Sequence, residues 1–299
     1  MFDFLTELGP LPFFTAGPWE FGPVKIHSFG LMVAIGVLLG HTISIRRVGR
    51  FGHDADAARS LYMSGLLMGF ACAHILNVLM YEPALVLKDP FELLRFNGSL
   101  SSYGGVIGAF LGVGLWKRFH PNTDILPLIE PVFFAVPFGW FWGRVGCALV
   151  HDHPGRLTDF FLAVNYDAHP PGGVRHDLGL YEAIWWFVLI IVFFTVDRVK
   201  GEQLRKPYGF FGPLLAILYA PARFSLDFLR IEPNMGGDAR YLGLTPAQYI
   251  SMFVFITGIV FMHRWVKAHR EWKEEGVEAS GASDEGDGEE QEAKGTKKS

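Results

Sequence analysis

Seven stretches of mostly apolar residues, each close to the length of a helical membrane crossing, recur along this 299-residue chain and constrain its fold more than any other feature. A hydrocarbon core about 30 Å thick takes roughly 20 such residues per crossing. The windows run approximately from Phe29 to Ile45, Leu61 to Tyr81, Tyr103 to Trp116, Leu126 to Val150, Leu180 to Val196, Gly209 to Phe228 and Gln248 to Trp265. The third is short and glycine-rich. Between the second and third, Pro83 to Phe96 alternates apolar and charged residues, which predicts an amphipathic segment at the interface. Composition agrees: half of the residues are apolar, and 28 Phe with 8 Trp exceed what a soluble domain of this length usually buries. The expected class is an all-α integral membrane protein of about seven transmembrane helices.

Lys and Arg are retained on the cytoplasmic side of a membrane, and here they fall in alternate connections. Arg46, Arg47, Arg50 and Arg59 follow helix one; Lys117 and Arg118 follow helix three; Arg198, Lys200, Arg205 and Lys206 follow helix five; Arg264, Lys267, Arg270 and Lys273 follow helix seven. A seven-span chain then has its amino terminus outside and its carboxyl terminus in the cytoplasm. Residues 1–270 read as one membrane-embedded domain. Residues 271–299 are rich in Glu, Gly, Ser and Lys and nearly devoid of apolar side chains, which predicts a disordered, charged cytoplasmic tail. Cys72 and Cys147 lie in apolar surroundings, so no disulfide framework is expected. The first 20 residues start acidic and carry Pro10, Pro12 and Pro18, unlike a cleavable signal.

Arg144, Arg156, Arg175, Arg223, Arg230 and Arg240 fall on the opposite, outer side, beside carboxylates and histidines. A charge at bilayer depth costs at least about 2.5–3.5 kcal/mol on insertion scales, so such a residue marks a site until a neutralising partner is found. Arg144, Cys147 and His151 are spaced i, i+3, i+7 and share a face if helix four continues to His151. Arg223, Asp227 and Arg230 share a face of helix six. An intrahelical ion-pair ladder accounts for part of that trio, but two Arg for one Asp leave a cation in need of an anion. Surplus guanidiniums without a metal signature point to a phosphate, whose oxygens the Arg fork matches. The bilayer offers that phosphate in its headgroups. The residues therefore predict binding or processing of an anionic phospholipid at the outer face, with no cofactor, no metal and no nucleic-acid partner.

Six blocks of the chain together resemble the bacterial prolipoprotein diacylglyceryl transferase family. They are Gly22–Met32 with His27 and Phe29, then Ser101–Gly108 with Tyr103, Gly104 and Gly105, then Pro137–Gly146 with Gly143 and Arg144, continuing to Gly155 and Arg156. Arg175, His176, Tyr181 and Glu182, then Arg223, Asp227 and Arg230, then Leu244–Gln248 complete the order. The resemblance implies a multi-pass enzyme of the bacterial inner membrane, working as a monomer. It moves the diacylglyceryl group of phosphatidylglycerol onto the lipobox cysteine of a preprolipoprotein, forming a thioether and releasing glycerol phosphate. Arg144 and Arg223 match the family's two functional arginines and would clamp the phosphate, with Glu182 and Asp227 orienting them. Gly104, Gly105, Gly143, Gly146, Gly155, Arg156, His176, Tyr181 and Arg230 would complete the substrate site, and Tyr103 or His151 would serve catalysis.

The chain departs from the family's pattern at three polar positions: Phe29 replaces Tyr, Tyr103 replaces His and Cys147 replaces Asn. A Tyr of ordinary pKa about 10 is a weaker base near pH 7 than a His of about 6.5, so His151, His153 or His176 would have to supply one. Two alternatives stay open. One is a divergent paralogue that binds phospholipid or a lipoprotein-like partner with lost or altered chemistry. The other is a different membrane enzyme, using Cys147 with His151 or a metal held by His151, His153 and His176 with Asp152 or Asp177.

Overall fold

The computed structural model describes residues 9–22, 24–81, 83–94, 100–201, 203–204 and 206–295. Arg205 of the basic connection and residues 95–96 of the amphipathic segment lie outside them; for Tyr103 the backbone is described and the side chain is not. Three short strands come first: β1 (Leu11–Pro12), β2 (Trp19–Phe21) and β3 (Val24–Ile26), the last two forming an antiparallel hairpin. Helices α1 (Ser28–Arg50), α2 (Ala55–Tyr81), the short α3 (Pro83–Lys88), α4 (Ser102–Phe119) and α5 (Leu126–Val150) follow. Strands β4 (Pro154–Leu157), β5 (Val164–Asn165) and β6 (Val174–Asp177) lead into α6 (Leu178–Lys200), α7 (Phe211–Leu226) and α8 (Pro246–Gly295).

Every apolar window lies on a helix, and five helices are long and apolar enough to cross a membrane: α1, α2, α5, α6 and the first part of α8. The remaining two windows form the 18-residue α4 and the 16-residue α7. The amphipathic segment becomes α3 and a 3-10 turn at Pro90–Leu94. Helix α8 runs on past residue 270, through Gly295. Extending an existing helix avoids the cost of nucleation, and Glu, Ala and Lys propagate it well.

The chain divides into two compact units, one of residues 38–135 and one of residues 1–37 with 136–299. In the first, α4 packs on α2 through glycines one turn apart. A Cβ on Gly104, Gly108 or Gly112 would lie 2.4, 2.2 and 2.4 Å from the carbonyl oxygens of Cys72, Met68 and Ser64. Only hydrogen fits there, which is how small residues bring helix backbones together in membranes. The Ser64 hydroxyl donates to the Gly112 carbonyl at 2.8 Å, and Val48, Ala58, Leu61, Trp116 and Leu128 form the buried cluster below.

In the second unit a four-stranded sheet is ordered β1-β5-β6-β4, and β4, β5 and β6 lie between α5 and α6 in the chain. Strands of two to four residues are too short for period-two patterning to reveal, and the sequence reading contains none of them. β1 comes from the amino-terminal arm and pairs in parallel with β5, while β6 pairs antiparallel with both β5 and β4.

Replacing Gly108 by Ala forces α4 away from α2, at a cost of about 1–3 kcal/mol for overpacking. Thermal melting of the detergent-solubilised protein should show this loss, and Gly114→Ala on the same helix, with nothing within 4 Å of its Cβ position, should show none.

Candidate functional site

Helix α5 carries Arg144 and Cys147 one turn apart, with the Arg144 Nη1 3.8 Å from the Cys147 Sγ. The helix stops at Val150, and His151 takes a positive φ of 50°. A left-handed residue ends a helix and redirects the chain. The expectation that His151 shares a helical face with Arg144 and Cys147 is corrected here. Its Nδ1 lies 2.5 Å from the Oδ2 of Asp177 and its Nε2 3.1 Å from the carbonyl oxygen of Phe14. The ring also packs on Phe13 of the amino-terminal arm, at 4.2 Å between centroids. Protein groups thus meet both ring nitrogens.

Asp177, fully buried, organises the start of α6. Its Oδ1 accepts from the Leu180 backbone N–H at 2.9 Å, capping the helix, and its Oδ2 accepts from the Tyr166 hydroxyl at 2.9 Å. Burial first, and the adjacent Asp177 charge second, raise the Tyr166 pKa, so the phenol keeps its proton. Two residues into α6, Gly179 admits α5: a Cβ there would be 2.9 Å from the Ala148 nitrogen. This close approach brings Glu182, one turn further on, level with Arg144.

The Glu182 carboxylate is 2% exposed. Its Oε2 lies 2.9 Å from the Arg144 Nε and accepts from the Tyr219 hydroxyl at 3.2 Å, while its Oε1 lies 3.8 Å from the Arg223 Nε. Arg223 also donates from Nη1 to the Asp227 Oδ1 at 2.6 Å, and the Arg230 Nε lies 2.9 Å from that same oxygen. The ladder read from the sequence therefore exists, at i,i+4 and i,i+3. The cation it leaves over is met by the half-exposed Asp238, 2.8 Å from the Arg230 Nη1. Glu182 then joins Arg223 to Arg144, which no local spacing indicates.

Asp227 is fully buried and held from below by the Leu244–Gln248 block. The Thr245 hydroxyl donates to its Oδ2, and Thr245 and Gln248 form a reciprocal capping box at the start of α8. The Thr-Pro-x-Gln spelling is the signal that would have located this support. Gly155 lets β4 pass the end of α7: a Cβ would lie 2.6 Å from the Leu229 carbonyl and 2.7 Å from the His176 Cβ. Arg156 donates to the Arg230 carbonyl at 3.3 Å and pairs with Glu232 at 3.8 Å, and the buried Arg175 donates from Nη1 to the Gly155 carbonyl. His176 Nδ1 meets the Tyr181 hydroxyl at 3.0 Å. Both residues line an otherwise apolar cavity of about 400 Å³ with Phe160, Leu162, Ile184, Leu226 and Leu229. Burial lowers the His176 pKa, so the ring stays neutral at physiological pH.

The remaining expected residues separate. A Cβ on Gly146 would lie 3.1–3.3 Å from atoms of Met32 and Phe29, whereas one on Gly143 would have nothing within 4 Å. Gly104 is a helix contact of the other unit, Gly105 faces only the Ala73 Cβ at 3.9 Å, and the Tyr103 backbone lies in the first turn of α4. The alternative histidine set does not gather as metal ligands. Among the described residues, the three potential ligands that do, within 4.8 Å of one another, are Cys147, Asp152 and His153.

These arginines and their carboxylates lie within a span, residues 18–264, that matches the prolipoprotein diacylglyceryl transferase family. The chain belongs to that family. It is 31% identical over 241 residues to the phosphatidylglycerol–prolipoprotein diacylglyceryl transferase of Chromohalobacter salexigens, covering 80% of this chain and 87% of the relative. The protein of the same name from Pasteurella multocida is 33% identical, with 78% and 83% covered, and that from Tolumonas auensis 29%, with 81% and 92%. The family match ends before the charged tail begins.

Removing Glu182 as Ala leaves two guanidiniums without their buried anion and should cost about 3–5 kcal/mol of stability by denaturant titration. A His whose folded pKa is depressed takes up its proton on unfolding. His176 accordingly contributes stability above its ordinary pKa of about 6.5 that is lost as pH falls through the folded value. His176→Asn should flatten the melting temperature against pH below about 6.5, compared with wild type.

Proposed function

We propose that this protein transfers the diacylglyceryl group of phosphatidylglycerol to the lipobox cysteine of a prolipoprotein. The observation that carries the reading is the joining of Arg144 and Arg223 by one buried carboxylate, Glu182, inside the span that matches the family. In the reaction a thiolate sulfur attacks the glyceryl carbon, the carbon–oxygen bond to phosphate breaks, and the electron pair leaves on the phosphate as glycerol phosphate. The site must stabilise that growing negative charge, and two guanidiniums fixed in advance do so without reorganising. Glu182 meets both through Nε and Asp227 takes the Arg223 Nη1, so the terminal nitrogens of Arg144 and the Arg223 Nη2 are the ones offered to phosphate oxygens.

Asp227 and Arg230 keep Arg223 in place, and Arg156 rims the entrance. The cavity beside His176 and Tyr181 suits an apolar part of a substrate, and Gly143, with open space about it, permits close approach, whereas Gly146 and Gly155 serve the packing of this unit on itself. Tyr103, which stands where the family has His, is a candidate for proton transfer. His151, with its nitrogens occupied by Asp177 and Phe14, acts as a clamp on the amino-terminal arm in this reading. The basic residues after α1, α4, α6 and along α8 support seven crossings in the bacterial inner membrane, with the amino terminus outside, and a single chain suffices for the site.

The test is glycerol phosphate release from phosphatidylglycerol by purified protein, with a lipobox peptide or its Cys→Ser counterpart. Release should require the cysteine and fall about 10²–10³-fold in Arg144→Ala. Arg144→Lys should not restore it, because an ammonium lacks the guanidinium fork. Intact lipid binding with no release would overturn the proposal in favour of a divergent, non-transferring relative.

A further inference from the structure

The thiol to be alkylated has an ordinary pKa of about 8.5, so at neutral pH something must take its proton. His151, the nearest base in sequence to Arg144, has both nitrogens covered. Beside Arg144, however, the chain assembles a different set of groups. Cys147 lies buried on α5, and after the left-handed His151 the backbone folds back to bring Asp152 and His153 over it. The return is held by the Leu178 N–H donating to the His153 carbonyl at 3.1 Å and by the pairing of Pro154 with Asp177.

We infer that Cys147, Asp152 and His153 bind a zinc-type divalent ion whose fourth ligand is the lipobox thiol. The inference rests on the transferase reading above. One thiolate, one imidazole and one carboxylate with an open fourth position is the pattern of catalytic zinc, and a thiolate ligand disfavours magnesium and calcium. Tetrahedral zinc sets such ligand atoms roughly 3.3–3.6 Å apart. Asp152 and His153 contact each other through Oδ1 and Nδ1, and the spread of up to 4.8 Å closes when these exposed and partly exposed side chains turn from that contact onto the ion. The charges balance once the substrate thiolate is bound: the divalent ion, Arg144 and Arg223 face the Cys147 and lipobox thiolates, Asp152 and Glu182.

A coordinated thiol loses its proton, here to solvent, and remains a nucleophile as the bound thiolate. Its sulfur forms the bond to the glyceryl carbon as the carbon–oxygen bond to phosphate breaks, and the departing phosphate stays with Arg144 and Arg223. The thioether product is neutral and a poor ligand, so it leaves the metal. Arg144 Nη1, 3.8 Å from the Cys147 Sγ, thus sets the clamp next to the nucleophile. Cys147 stands where the family has Asn, which makes this device a property of this chain.

Full-length protein in detergent, stripped by chelator and titrated with Co²⁺, tests it. A thiolate-to-cobalt charge-transfer band should appear at one equivalent, be displaced by Zn²⁺ and vanish in Cys147→Asn. Affinity should fall at least about tenfold in His153→Ala and in the surface variant Asp152→Asn, since outer-shell changes alone bring losses of that size. A lipobox peptide, but not its Ser counterpart, should intensify the band. No thiolate band, or a band indifferent to the peptide, overturns the inference. Undiminished release of glycerol phosphate by stripped enzyme overturns it while leaving the transferase standing. A peptide-sensitive band without any release retains the metal site and removes the transferase.

Discussion

The Glu182 carboxylate, nearly sealed from solvent, lies between the Arg144 guanidinium of α5 at 2.9 Å and the Arg223 guanidinium of α7 at 3.8 Å. Burying three charges carries a desolvation cost that their mutual attraction roughly offsets, so this cluster adds little net stability. What it adds is position. One side chain on α6 sets the separation and orientation of two cations from different helices, and the Tyr219 hydroxyl satisfies a remaining lone pair. In the proposed reaction, stabilising a phosphate leaving group in a low-dielectric environment depends on such geometry being present before the ligand arrives.

The rest of the second unit supports that carboxylate. Gly179 admits the end of α5 so that Glu182 reaches Arg144, and Asp177 starts α6 at the right residue by capping it. On the other side, Asp227 fixes Arg223 and is in turn held by Thr245, whose capping box with Gln248 also begins α8. The Leu244–Gln248 block at a helix start is here a strut for a charged site. The small sheet has a comparable part. It returns the chain from α5 to α6 and binds the amino-terminal arm through β1, which places Phe14 on His151.

That clamp bears on the chemistry. With its imidazole occupied, His151 is poorly placed to act as a base, although its proximity in sequence to Arg144 recommends it. The same left-handed turn that removes His151 from the helix brings Asp152 and His153 to Cys147. Losing the family's Asn at this position and gaining a thiol beside an arginine are one substitution seen from two sides.

The membrane class, the seven helical windows, the family resemblance and the identity of the charged residues are legible in the amino-acid order alone. Hydrophobic length and the cost of intramembrane charge are local quantities that a single chain displays. The Arg223–Asp227–Arg230 ladder was legible too, because i,i+4 and i,i+3 spacing across the end of α7 and the 3-10 turn after it needs no distant partner. Only the tertiary structure decided that Glu182 joins Arg144 to Arg223, that Asp238 answers Arg230, and that His151 turns to Asp177. These pairs span 38, 41, 8 and 26 residues respectively, counting from the residue numbers of the partners. Strands of two to four residues and a helix that ends on a positive φ leave no periodicity to read. Their contacts depend on where backbones meet in space, which a glycine such as Gly179 permits without announcing the residue it will bring into place.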